Sequence, residues 1–68
     1  MLVMVNGTER TLSDGTTVQE LVQSLGAPVD GRGVAVALSG EVVPRSRWPE
    51  TELFAQAHVE VLIAIQGG

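Results

Sequence analysis

Four consecutive β-formers, Leu2-Val3-Met4-Val5, open the chain and run into Asn6-Gly7. Both residues of that pair tolerate the positive φ of a tight hairpin turn, so Thr8–Leu12 is predicted to return as a strand with polar side chains on alternate positions. Ser13-Asp14-Gly15 is loop chemistry. Thr17-Val18-Gln19-Glu20 then has the form of a capping box, a Thr hydroxyl with Glu three residues on. Val18, Leu21, Val22 and Leu25 follow at i, i+3, i+4 and i+7, one helical stripe. Gly26 and Pro28 supply the stop, so the spacing predicts a short helix over Val18–Leu25.

Beyond a Gly-rich loop, Val34-Ala35-Val36-Ala37-Leu38 is nearly continuous in apolar residues and predicts a buried strand. Ser39-Gly40 turns the chain, Glu41-Val42-Val43 starts back, and Pro44 ends that strand. Arg45-Ser46-Arg47-Trp48-Pro49 is expected to be irregular or a single turn. The last strand is expected over Val59–Ile65, with Val59, Val61, Ile63 and Ile65 on one face. Leu62 and Ala64 make its other face apolar too, which predicts a central place in the sheet. The order is β-β-α-β-β with a closing strand: an α+β fold, a mixed sheet packed on one main helix. Strands wrapped around one helix in this order make a β-grasp, the ubiquitin-like fold. Residues 1–66 are expected to form that domain and residues 67–68 a Gly-Gly tail.

Composition narrows the function by exclusion. At 68 residues and 7.1 kDa the chain allows one domain with a thin core. Its apolar runs fall far short of the roughly 20 residues that span a bilayer, so no membrane role is expected. Met1–Asn6 lacks the basic region and long apolar core of a secretory signal, which makes the cytoplasm the expected compartment. Four arginines, no lysine and eight acids leave a net charge of −4, the wrong sign for nucleic acid. Without cysteine there is no thiolate nucleophile or thiolate metal site, and one histidine, His58, makes no multi-His zinc site. Nothing orients a triad around His58. Glu50 and Glu52 read as solvated acids, Arg45 and Arg47 as solvated or locally paired, and Trp48 as packing at the core edge. No residue is assigned to catalysis, and no metal or cofactor is expected on this chain.

The C-terminal residues carry the chemistry instead. The last strand runs directly into Gln66-Gly67-Gly68 with no polar spacer, which points to a functional tail. Without side chains beyond hydrogen, Gly67-Gly68 can extend through a slot too narrow for other residues and deliver the α-carboxylate of Gly68 to another protein. That carboxylate, with a reference pKa of about 3.5, is ionised and a poor electrophile at neutral pH. It becomes reactive once a partner converts it to a mixed anhydride, as ATP-dependent adenylation does. An amine would then give a conjugate, and a sulfide equivalent a thiocarboxylate.

The run Val34–Trp48, with Val42-Val43-Pro44-Arg45 followed two residues later by Arg47-Trp48, together with Gly67-Gly68, resembles the sulfur carriers of thiamine biosynthesis, the ThiS family. The opening strand, the Thr17–Leu25 helix and the last strand fit as well. The resemblance implies that Gly68 is adenylated by an E1-like adenylyltransferase using ATP and Mg²⁺. It is then converted to a thiocarboxylate with sulfur from a cysteine desulfurase persulfide, and thiazole synthase takes that sulfur. Gly67 carries over as the flexible penultimate residue. Ser39 stands where the family commonly has Asn, and Gln56-Ala57-His58 replaces its usual Gly-Asp; both departures lie in turns.

Residues near the tail on the open sheet face are the expected partner contacts: Val43, Pro44, Leu62 and Gln66, with Leu62's face set by strand register. The molybdopterin synthase small subunit, another β-grasp ending in Gly-Gly, is the alternative within the fold. A β-grasp interaction module with an inert tail is the alternative outside carrier chemistry.

Overall fold

The structure, a computed structural model, describes residues 1–28 and 30–64. Within them, β1 (Leu2–Val5) and β2 (Thr8–Thr11) form a hairpin, and α1 (Val18–Ser24) follows. A second hairpin, β3 (Val34–Leu38) and β4 (Glu41–Val42), leads through a 3₁₀ helix (Arg45–Glu50) to β5 (His58–Ile63). The sheet order is β2-β1-β5-β3-β4, with β1 and β5 parallel and the other neighbours antiparallel. This is the β-grasp sheet: the last strand inserts between the two hairpins while the helix covers one face.

Local chemistry accounts for each turn. Asn6 and Gly7 both take positive φ, 51° and 80°, and leave Val5 opposite Thr8. Ser39 (51°) and Gly40 (82°) do the same between Leu38 and Glu41. At the start of α1, Glu20 N–H donates to Thr17 Oγ1 at 3.2 Å and Thr17 N–H to Glu20 Oε1 at 3.0 Å, so the capping box forms as expected. Leu25 caps the helix instead of ending it, and Gly26 follows at φ 80°.

Val18, Leu21 and Val22 of α1 pack on Val3, Val5, Val36, Val59 and Val61 of the sheet. Trp48, Leu53 and Ala57 close the core at its side. The residues around Trp48, expected to be irregular or a single turn, form the 3₁₀ helix, which seats the buried indole; its Nε1–H donates to the Val43 carbonyl at 2.9 Å. Arg45 donates to the Asp30 carbonyl at 2.9 Å, and Arg47 lies 3.5 Å from Glu50, so both arginines are engaged locally.

The burial of β3 and the bounds of β5 differ from expectation. β3 is fully buried only at Val36, with Ala35 exposed, because α1 covers one face of the sheet and β3 needs only every second residue for it. β5 is central, between β1 and β3, as its two apolar faces predict, and the face turned away from α1 is open to solvent. It begins one residue earlier than expected, at His58, and Ile65 lies outside the described residues.

Candidate functional site

Register decides which side chains share the open face. Leu62 stands opposite Ala35, Glu60 opposite Ala37, and Ala37 opposite Val42. Since successive side chains alternate, Ala35, Ala37, Val42, Glu60 and Leu62 all point away from α1. Leu62 is 70% exposed and Val42 77%. Together with the two alanines and Glu60 they line a shallow depression of ≈ 110 Å³. The small alanines form its floor and the larger Val42 and Leu62 its walls. Leu62 and Val42 thus gather exposed apolar area in one place on the open face instead of scattering it.

The same face continues across β5 onto β1. His58 stands beside Met4, Met4 opposite Glu9, and Leu2 is 48% exposed. Leu2, Met4, Glu9, Gln56 and His58 line a second depression of ≈ 200 Å³. Glu9 and Glu60 therefore place negative charge on a face that mixes apolar Leu2, Met4, Val42 and Leu62 with polar Gln56 and His58, which suits a partner surface of apolar and basic side chains.

The four expected contact residues separate. Leu62 lies on the open face, where its register puts it. Val43 is half-buried against the core; its N–H donates to the Val36 carbonyl at 2.8 Å and its own carbonyl accepts from Trp48. Pro44 is exposed at the start of the 3₁₀ helix. It joins Leu38, Val42, Val43, Arg47 and Thr51 around a different groove, at the edge of the sheet. Gln66, Gly67 and Gly68 lie outside the described residues. Val42 borders both surfaces and is not among the four expected contacts. The two-residue turn at Ser39-Gly40 was the available signal, because it sets Ala37 opposite Val42 and so fixes Val42's face.

The last described residue, Ala64, is held at the end of the strand. Its N–H donates to the Gly33 carbonyl at 2.7 Å. Gly33 belongs to a loop fixed from below by Gly31, at whose position a Cβ would come within 2.6 Å of Arg45 Cδ and 2.9 Å of Trp48 Cζ3. Trp48 thus supports, through Gly31, the loop that holds the end of β5. Among the described residues no group of three or more His, Asp or Glu side chains is placed to hold a metal ion. Nor is any described helix long and apolar enough to cross a membrane.

Comparison with known proteins places this geometry. The ThiS family matches residues 3–68. The crystal structure of a thiamine biosynthesis protein (ThiS) from Geobacter metallireducens superposes with a TM-score of 0.79 at 31% identity, covering 100% of both chains. The solution structure of a thiamine biosynthesis protein from the same organism gives 0.82 at 31% identity, over 100% of this chain and 88% of that one. A thiazole synthase from Paramagnetospirillum magneticum is 37% identical over 68 residues. The chain spans 20% of the length of that relative.

Proposed function

The chain belongs to the ThiS family, the sulfur carriers of thiamine biosynthesis, and from that premise we propose that the Gly68 carboxylate is the group it delivers. The observation that carries the reading is the extent of the family match, which runs through Gly67-Gly68 to residue 68. An E1-like adenylyltransferase joins the Gly68 carboxylate to the AMP moiety of ATP, with Mg²⁺ held by that enzyme and pyrophosphate leaving. The terminal sulfur of a desulfurase-derived persulfide then attacks the acyl carbon and AMP departs, leaving an acyl disulfide. A thiol reductant cleaves that S–S bond by two electrons, so that the thiocarboxylate stays on Gly68 and the donor sulfur leaves in a disulfide with the thiol. Adenylation is needed because an ionised carboxylate resists attack until its oxygen is made a leaving group.

Thiazole synthase is the proposed acceptor of that sulfur. A relative that bears this name and contains a stretch matching the whole of the present chain supports the pairing. The open face of β5, β3 and β4 is the proposed docking surface, because Leu62 lies two residues before Ala64 and so presents apolar area close to the strand end. The chain itself supplies binding and the carboxylate, and its partners supply catalysis.

Removing Gly67-Gly68 tests the reading. The truncated chain is expected to keep its fold while losing all thiocarboxylate formation in the presence of activating enzyme, ATP and sulfur donor. An inert-tailed interaction module would instead keep its full biological activity after the same truncation.

A further inference from the structure

Asn6 does more than turn the first hairpin. β1 runs parallel to β5 through the pairs Met4–His58 and Val5–Val59, and the Asn6 N–H donates to the Val59 carbonyl at 2.9 Å. After Asn6 the backbone turns away into β2, while β5 continues. Val61 directs both its N–H and its carbonyl to the side that β1 has left. The Asn6 carboxamide meets both: Val61 N–H donates to Oδ1 at 2.8 Å and Nδ2 donates to the Val61 carbonyl at 3.1 Å. A side-chain amide here substitutes for the missing peptide group of a longer strand. Donor and acceptor are both required, and no other charge-neutral side chain of this length supplies them.

The same residue precedes glycine. An asparagine side chain followed by Gly is open to attack by the next backbone nitrogen, because Gly has no side chain to hinder the approach, and both Asn6 and Gly7 are exposed. We propose that the Asn6 carboxamide is a latch on the half of β5 that leads to Gly67-Gly68, and that Asn6-Gly7 is a deamidation site whose reaction opens it. The Gly7 nitrogen bonds to Asn6 Cγ, the Cγ–Nδ2 bond breaks, and Nδ2 leaves as ammonia with the Gly7 amide proton. Water then opens the cyclic imide to aspartate or isoaspartate, without any change of oxidation state. The product carries two oxygen acceptors where the carboxamide had one donor and one acceptor, so the Val61 carbonyl loses its partner and faces negative charge. While latched, the carboxamide is pinned on Val61, so the folded chain reacts slowly. Its consequence for sulfur delivery rests on the carrier function proposed above.

The test uses the full chain, its Asn6→Asp variant and Asn6→Gly, which keeps the positive φ of the turn while deleting the carboxamide. Deamidation at Asn6, followed by peptide mass at alkaline pH, is expected to be at least about tenfold slower in the folded chain than in urea, because the latch must open first. Amide hydrogen exchange at Val61 is expected to be about tenfold faster in Asn6→Gly, which removes the acceptor of that N–H, with the Met4 amide unchanged. Equal deamidation rates in the folded and unfolded chain, or Val61 exchange unaltered in Asn6→Gly, would overturn the latch. In a loading assay with activating enzyme, ATP and sulfur donor, Asn6→Asp is expected to lower the rate of thiocarboxylate formation below that of the parent. Equal loading of the two would remove the latch from delivery, whereas failure of the parent to load would count against the carrier function and leave the exchange result standing.

Discussion

Ser39 occupies a backbone conformation that its side chain does not favour. At φ 51° an L-residue other than Gly, Asn or Asp carries a strain of about 1 kcal/mol. The turn nevertheless sets Leu38 opposite Glu41 and hence Val42 on the open face. Ser39→Asn is therefore expected to raise stability by about 0.5–1 kcal/mol, read as a higher denaturant midpoint with unchanged slope. Gly31 is the opposite case. Its φ of 71° and its approach to Arg45 and Trp48 leave no room for a methyl group, and Trp48 is buried. Gly31→Ala is expected to destabilise by about 2 kcal/mol, and hydrogen exchange at Ala64 should rise with it, since the Gly33 carbonyl that holds Ala64 moves with the loop.

Among the elements, α1 is short enough to depend on its ends. Seven residues are marginal as an isolated helix, so the capping box and the packing of Val18, Leu21 and Val22 hold it together. Thr17→Ala removes the hydroxyl that accepts from Glu20 and is expected to lower stability by about 1 kcal/mol in chemical denaturation. Both hairpin turns and α1 were legible in the sequence because their signals are local: Asn6-Gly7, Ser39-Gly40, the capping box and one helical stripe. What sequence did not give was the pairing of distant strands. That β1 joins β5 in parallel, and that Leu62 therefore falls beside Ala35 on the open face, depends on register between segments more than 20 residues apart. Apolar periodicity also overstated the burial of β3, since small alanines read as core whether or not anything covers them. The stretch around Trp48 was legible only as irregular or a single turn, because Pro49 and its charged neighbours give no helical stripe; the buried indole and its bond to the Val43 carbonyl help seat the 3₁₀ helix.

For the molecule as a whole, the helix and the open sheet face divide the work. One face spends nearly all the large buried side chains on stability, and the other leaves Leu62 and Val42 in solvent. Leu62→Asp is expected to change stability by less than about 0.5 kcal/mol, since the side chain is 70% exposed. It should nonetheless raise the apparent KM of the activating enzyme for this chain about tenfold or more, because it places a charge in a desolvated contact. Normal KM with this variant would move the docking surface elsewhere. With a net charge of −4 and Glu60 in the middle of the patch, association with a basic partner surface should slow as salt rises.

Sulfur on the final residue is the decisive quantity. Incubated with an E1-like enzyme, ATP, Mg²⁺, a persulfide donor and a thiol reductant, the protein is expected to gain the mass of one oxygen replaced by sulfur, located by fragmentation to Gly68. A chain that emerges from complete reaction mixtures with its mass unchanged, while a known carrier in the same mixtures is converted, would contradict the account.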